Sequence, residues 1–197
     1  MRKVAAAFMI CLCIVSLSGC KGKVESLKLS DVNEETLLIR SNGTLQLGAN
    51  ETFDKIYYDE KDLKDFIESA IESFNEENGK GSVKLSDLEV ENEKVKAIFT
   101  YDSMESYSEM NRIEASLYTV KEALDAGVLP EFYTDAVDGA KATLDDVKEN
   151  EKYKVLIIDT KVKVQIPGTI KYYANAMLTN ADSAETTGNN IAVIVYK

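Results

Sequence analysis

Apolar residues at helical spacing mark one segment of the chain. From residue 60 to residue 78 they recur three or four positions apart and so fall on one face of a helix; they are Leu63, Phe66, Ile67, Ala70, Ile71 and Phe74. Asp59 is a residue type favoured at a helix N-cap, and Asn78-Gly79 is a typical helix end. The pattern predicts an amphipathic helix over about 60–78, whose apolar face, Phe66 included, packs in a core.

The opposite face of this helix is acidic. Four carboxylates lie three or four residues apart, and like charges at that spacing repel one another by about a few tenths of a kcal/mol; they are Asp65, Glu68, Glu72 and Glu76. A bound cation or a basic partner would relieve the repulsion, whereas a solvated face tolerates so small a cost. The sequence favours the solvated face and leaves the cation open.

Alternating apolar and polar residues predict strands on both sides of the helix. One hairpin spans 36–49 around Asn42-Gly43, which is the strongest short hairpin signal. A second hairpin spans 83–101, and a short strand is predicted at 56–58. Four more strands are predicted toward the C-terminus, at 153–159, 162–166, 169–173 and 191–196. Short helices are predicted after capping boxes that begin at Asp102 and Thr119.

These elements predict an α+β fold with a mainly antiparallel sheet. The 60–78 helix is expected to pack across that sheet, with short helices beside it. Residues 36–197 are predicted to form a single exported domain. The alternative is two small subdomains that meet near Gly79–Gly81, where Gly-Lys-Gly would act as a hinge.

The chain begins with an export signal. Arg2 and Lys3 precede an apolar run at 4–15, and small residues follow, as in a secretory signal peptide. The run is shorter than the roughly 20 apolar residues that a membrane span needs. This length argues against a transmembrane anchor. Residues 1–19 are therefore predicted to be a signal peptide that is removed.

The predicted cut site has a specific form. Leu17-Ser18-Gly19-Cys20 resembles the lipobox of bacterial lipoproteins. The resemblance implies cleavage before Cys20, a diacylglyceryl group on its thiol, and a location on the extracytoplasmic face of the cell membrane. Two acyl chains anchor a protein stably, whereas one binds only marginally. Residues 20–35, which are polar and lack a sustained period, are then a lipidated tether, and the membrane is a predicted partner.

Composition excludes several functions for the exported part. Removing residues 1–19, which hold Arg2 and Lys3 and no acidic residue, leaves 21 basic and 34 acidic residues and a formal net charge of −13. Such a charge repels nucleic acid, so none is expected as a partner. The sequence has no histidine, and Cys20 is the one cysteine after residue 19. Ser-His, Cys-His and free-thiol catalysis are therefore excluded.

No motif indicates a cofactor or a metal. The segment that begins at Asp31 starts like a calcium loop, but it lacks glycine at the sixth place and has Asn42 at the twelfth, where glutamate is required. Phosphate-binding and dinucleotide-binding fingerprints are absent, as is the nucleophile elbow of hydrolases. We expect no cofactor and no metal site.

Three stretches of the exported part carry a looser resemblance. Tyr101-Asp102-Ser103 through Tyr107 to Asn111, then 119–127, then Val164-Gln165-Ile166-Pro167-Gly168, are similar to small exported lipoproteins of Gram-positive gut bacteria. The resemblance implies the outer face of a Gram-positive cytoplasmic membrane. It implies no activity.

The absence of catalytic, cofactor and metal motifs favours a non-catalytic binding or interaction module. Its partner would be an envelope protein, a glycan or a small solute, contacted by exposed aromatic residues; the candidates are Tyr57, Tyr58, Tyr172 and Tyr173. The alternative is a surface hydrolase that uses a pair of carboxylates, which 34 acidic residues leave open. A cleft with two carboxylates about 5–10 Å apart would favour the hydrolase.

Overall fold

Strands dominate the described part of the chain. The computed structural model describes residues 25–55 and 59–197. The strands within these ranges are β1 (Thr36–Ile39), β2 (Leu45–Thr52), β3 (Val83–Glu91), β4 (Lys94–Tyr101), β5 (Ala115–Thr119), β6 (Phe132–Asp135), β7 (Lys141–Thr143), β8 (Lys154–Ile158), β9 (Lys163–Gln165), β10 (Ile170–Ala174), β11 (Ala176–Asn180), β12 (Ser183–Thr186) and β13 (Ala192–Tyr196). The helices are α1 (Glu60–Asn78), α2 (Met104–Asn111), α3 (Val120–Asp125) and α4 (Leu144–Lys148).

The strands form two sheets. The first sheet has seven strands in the order β11-β12-β9-β1-β2-β4-β3, and the second has six in the order β5-β8-β13-β10-β6-β7. Neighbouring strands are antiparallel except for β1 and β9, which are parallel. β1 and β9 are far apart in sequence, so this pairing is a long-range one.

Local turn chemistry sets the two predicted hairpins. In the first, Ile39 faces Leu45 across a turn in which Gly43 has a φ of 87°. In the second, β3 and β4 are joined through Asn92 (φ 51°) and Glu93 (φ 60°). Two consecutive residues with positive φ are the signature of a tight hairpin turn whose twist matches that of the strands.

The main core lies between the two sheets. Leu37, Ile39 and Val164 of the first sheet are buried in one cluster with Leu156 and Ile194 of the second. The predicted fold class, an α+β domain with one helix packed across one sheet, is therefore wrong. Two sheets packed face to face form the layers, because each has an apolar inner face that the other covers.

The outer faces of the sheets are covered differently. On the second sheet, Val120 and Ala123 of α3 and Val147 of α4 pack over Val193 and Val195 of β13. β13 is thus buried on both faces, and all five of its residues are buried.

On the outer face of the first sheet, the chain from Leu27 to Val32 packs over Leu38 and Ile98. Gly48 permits this contact, because a Cβ there would lie 2.6 Å from a methyl group of Val32. Part of the predicted 20–35 tether is therefore folded against the sheet.

α1 has the predicted bounds but not the predicted packing. Asp59 caps it by accepting a hydrogen bond from the backbone N–H of Asp62, and Gly79 follows its last residue. Its buried residue is Ile71, in the C-terminal half, and this half packs beside β3. Phe66 was predicted to lie in the core, yet its side chain is 72% exposed.

Candidate functional site

An open groove runs between the N-terminal half of α1 and strands β2 and β4. We call it the α1 groove; its lining residues are Ala49, Glu51, Thr52, Phe53, Asp59, Asp62, Leu63, Phe66, Ile67, Val95, Ala97 and Phe99. Its volume of about 560 Å³ lies within the range of about 300–1,000 Å³ that is usual for ligand pockets. Most of the lining side chains are apolar, so the groove offers a surface that water solvates poorly.

The floor of the α1 groove is set by strand register. Ala49 of β2 lies directly opposite Ala97 of β4, and the adjacent pair on the same face is Leu47 with Phe99. Side chains two residues apart on a strand share a face of the sheet. Two small side chains next to a large one leave depth beneath α1, and no residue of the helix fills it.

The other end of α1 is held closely against the sheet. The Asn75 side chain donates to the carbonyl of Val83 and accepts from the N–H of Val83, both at 2.9 Å. Ser82 donates through its hydroxyl to the carbonyls of Asn78 and Gly79. These bonds fix the C-terminal half of the helix to the first residue of β3, while the N-terminal half overlies the groove.

Phe66 differs from the other exposed apolar side chains in its surroundings. Val137 is 82% exposed, but it lies in a polar turn where its N–H donates to the Asp135 carboxylate. Phe132 is partly exposed and has the Lys141 ammonium 3.8 Å from its ring centroid. Single exposed apolar residues are ordinary, whereas Phe66 continues the apolar lining of a groove.

The rim of the α1 groove is acidic. Its charged lining residues are Glu51, Asp59 and Asp62, and no basic residue lines it in the part of the chain that the structure describes. None of the three belongs to an ion pair formed among the described residues. The groove therefore combines apolar walls with negatively charged residues that form no close ion pair, although the Lys61 ammonium interacts electrostatically with Asp59 and Asp62.

The lysines nearest in sequence are matched to other carboxylates. Lys61 is 2.6 Å from Asp65, and Lys64 is 3.8 Å from Glu68, both at the favourable spacing of four residues. These pairs offset part of the repulsion expected on the acidic face of α1. At the groove rim, Lys61 acts only by longer-range electrostatic attraction to Asp59 and Asp62, since its close ion pair is with Asp65.

The groove lies away from the point where the N-terminal chain joins the fold. The Arg40 side chain donates through Nε to the carbonyl of Glu25, next to the β1–β2 turn, and the N–H of Leu27 donates to the side chain of Gln46. β2 then runs toward the groove, which begins about 13 Å along the strand and ends about 24 Å along it, since strands rise about 3.4 Å per residue.

Two other depressions are less suited to an apolar ligand. One follows the other side of α1 and measures about 700 Å³, but residues of both charge signs line it, including Glu72 and Lys84. The other is beside the β1–β2 turn, measures about 270 Å³ and contains Arg40 and Asp182. Neither combines an apolar lining with charge of a single sign.

The candidate residues from the sequence fall in different places. Tyr172 and Tyr173 are half-buried on β10 and pack into different clusters, Tyr172 against the outer cluster under α3 and α4 and Tyr173 against the main core. The Tyr172 ring also makes an edge contact with Tyr133, at 6.5 Å between centroids. Cys20, Tyr57 and Tyr58 lie outside the described residues, as do the signal peptide and the strand predicted at 56–58.

One carboxyl group has chemistry of interest outside the groove lining. Partial burial raises the pKa of Glu35 above its ordinary value, and the negative charge of Glu51 raises it further. Glu35 lies in a depression of about 240 Å³ that also contains Lys161, Lys163 and Glu185. A raised carboxyl pKa is one property of a general acid.

Metal-binding clusters and membrane-spanning helices are both missing from the described ranges. No group of three or more His, Cys, Asp or Glu side chains there is arranged to hold a metal ion. Within the same ranges, no helix combines the length and apolar character that crossing a membrane requires.

Comparisons with protein-family profiles, with curated proteins and with solved structures gave no match. Functional reasoning for this chain therefore starts from the groove.

Sequence reasoning predicted the elements that border the groove but not the groove itself. The sequence signal that could have revealed the groove is Ala49 and Ala97. They are small residues on strand faces that also carry the larger Leu47 and Phe99. Their significance depends on their being opposite each other, which only the register of β2 and β4 shows.

Proposed function

We propose that this chain is a lipoprotein held at the cell membrane by lipid on Cys20, with a non-catalytic binding module on the extracytoplasmic face. The α1 groove is the binding surface. The observation that carries the proposal is an apolar groove of about 560 Å³ whose rim residue Phe66 is 72% exposed. None of the described residues fills this lining, and an exposed apolar groove of this size is typical of a recognition surface.

The position of the groove suits display to partners. Glu25, beside the β1–β2 turn, is five residues from Cys20, so the lipid lies within about 18 Å of that turn along an extended chain. The groove starts farther along β2, away from this attachment. A partner would therefore reach it without displacing the tether.

The anchor is tested by mass spectrometry of the protein purified from bacterial membranes. We expect an N-terminus at Cys20 with the mass of a diacylglyceryl group, and a Cys20→Ser variant that is not lipidated and leaves the membrane. A mature N-terminus elsewhere, or an unmodified Cys20, would refute the lipoprotein assignment.

The groove is tested with an apolar fluorescent dye and the chain from residue 20 carrying Cys20→Ser, which retains every described residue. Phe66→Ser and Ala49→Leu should each weaken dye binding at least severalfold, the first by removing a wall and the second by filling the floor. Val137→Ser is the matched control, because it removes an equally exposed apolar side chain elsewhere. Equal binding by all variants would contradict the proposal.

A carboxylate-based hydrolase is the second candidate, and Glu35 is the observation that favours it. Partial burial and the negative charge of Glu51 raise the pKa of Glu35, and a raised carboxyl pKa is a property of the general acid of glycosidases. The test is release of reducing ends from cell-wall polysaccharide. Turnover that Glu35→Gln abolishes and Glu105→Gln leaves intact would replace the binding proposal with this one.

A further inference from the structure

The charge around the α1 groove indicates what kind of partner it takes. Glu51, Asp59 and Asp62 line it, and the described residues place no lysine or arginine among the lining. An apolar occupant that carries negative charge would be repelled by these carboxylates. An occupant that carries positive charge would be attracted both by the rim and by the net charge of −13 on residues 20–197.

The shape of the groove favours a chain segment over a compact solute. The groove is open to solvent along the side where Phe66 is exposed, and it follows the first two turns of α1, from Asp59 to Ile67. These two turns span about 12 Å at 1.5 Å per residue. A segment of another protein could lie along this length.

We infer that the α1 groove binds a cationic amphipathic peptide segment of another protein. Apolar side chains of the segment would fill the space above Ala49 and Ala97, and flanking lysines or arginines would face Glu51 and Asp62. This inference rests on the proposed binding function and adds the chemistry of the partner. Recognition by apolar anchors in a groove, with charge at the rim, is a common mode for peptide segments.

The carboxylates are available to such a partner. Glu51, Asp59 and Asp62 are exposed, and Asp59 uses one oxygen to accept from the N–H of Asp62 at 3.0 Å. The lysines of the same helical turns, Lys61 and Lys64, are already paired with Asp65 and Glu68. An incoming ammonium or guanidinium group would therefore break no ion pair of the described rim residues, with which the Lys61 ammonium interacts only by longer-range attraction to Asp59 and Asp62.

The test uses four synthetic peptides of equal length and the chain from residue 20 with Cys20→Ser. The first peptide carries apolar residues at helical spacing with flanking lysines. In the second and third the lysines become glutamine and glutamate, and in the fourth the apolar residues become serine. Affinity is measured by isothermal titration calorimetry at 10 mM and at 100 mM salt.

We expect the lysine peptide to bind about tenfold more tightly than the glutamine peptide at 10 mM salt. The glutamate and serine peptides should bind weakly or not at all. At 100 mM salt the advantage of lysine over glutamine should shrink, since the Debye length falls from about 30 Å to about 10 Å. Equal affinity of the lysine, glutamine and glutamate peptides would overturn the inference about charge.

Two sets of variants separate this inference from the proposed function. The double variant Glu51→Gln/Asp62→Asn should weaken binding of the lysine peptide severalfold and leave the glutamine peptide almost unchanged. Glu105→Gln/Glu109→Gln changes the net charge equally at exposed positions on α2 and should have little effect. If both double variants act alike, the inference about the rim is wrong while groove binding stands.

Phe66→Ser should weaken binding of both the lysine and the glutamine peptides. If it leaves both unchanged, or if no peptide and no dye binds, the proposed function itself fails. Dimerisation of the chain that Phe66→Ser abolishes would make a second copy the occupant and overturn the inference. Binding to zwitterionic vesicles that depends on Phe66 would make a lipid surface the occupant and would also overturn the inference.

Discussion

Phe66 and Ile71 belong to the same apolar face of α1 but differ in environment. Phe66 is 72% exposed on the groove rim, whereas Ile71 is 8% exposed and packs in the main core. Removing a buried branched side chain loses its transfer free energy and leaves a cavity, and neither term applies to an exposed one. Substitution of Phe66 therefore tests recognition, and substitution of Ile71 in the same helix tests stability.

We expect Phe66→Ser to change the free energy of unfolding by no more than about 0.5 kcal/mol, as surface substitutions usually do. Ile71→Ala should lower it by about 2–4 kcal/mol. Urea unfolding followed by circular dichroism measures both values. A large loss for Phe66→Ser would mean that its ring is packed in solution, and the groove would not exist as described.

At the scale of elements, one side-chain amide forms the direct hydrogen bonds between α1 and β3. Asn75 pairs with both backbone groups of Val83 much as a neighbouring strand would. This contact holds the helix beside an edge strand that has a backbone partner on one side only, β4. It also fixes the half of α1 that is not involved in the groove.

We expect Asn75→Ala to lower the free energy of unfolding by about 1–3 kcal/mol, because it leaves the N–H and the carbonyl of Val83 without their partner. Asn78→Ala is the matched control in the same helix, since its side chain is exposed and donates only to the carbonyl of Phe74. Thermal unfolding of the two variants gives the comparison. Similar melting temperatures would show that the paired amide contributes nothing to the attachment.

At the scale of the whole molecule, folding opposes the ionisation of several tyrosines in the core. Burial raises the pKa of Tyr101 to about 12, with the hydrogen bond from Asn111 lowering it somewhat, and burial likewise raises the pKa of Tyr196 to about 12. Burial also raises the pKa of Tyr107 and of Tyr133, and the Tyr133 hydroxyl has no hydrogen-bond partner among the described residues.

These shifts predict a loss of stability at alkaline pH. Between pH 10 and pH 12 the unfolded chain releases phenolic protons that the folded chain keeps, so the folded state binds more protons and stability falls as pH rises. At pH 11 the loss is about 1 kcal/mol for each tyrosine whose pKa is shifted from 10 to about 12.

Urea midpoints at pH 8, 10 and 11 measure this loss. Tyr196→Phe should remove about 1 kcal/mol of the decrease at pH 11, because phenylalanine does not ionise. The same variant should retain its stability at pH 8, where tyrosine is neutral in both states. An unchanged decrease at pH 11 would place the Tyr196 hydroxyl in contact with water.

The sequence by itself determined the local elements of this protein. Asp59 and Gly79 bound α1 where they were expected to, and Asn42-Gly43 turns the first hairpin, because caps and turns depend on residues only a few positions apart. The region of β13 was also predicted as a strand. That prediction did not include burial on both faces, which the uninterrupted apolar run of β13 indicates and the structure shows.

The assembly of these elements was decided by tertiary structure alone. Periodicity shows that α1 has an apolar face but not what covers it. Phe66 was therefore predicted to lie in the core, whereas the structure leaves it exposed. Similarly, neither the apolar run of β1 nor the alternation along β9 shows that these distant strands pair. The division into two sheets, and the groove above Ala49 and Ala97, follow from such long-range pairings, whose register no short stretch of sequence encodes.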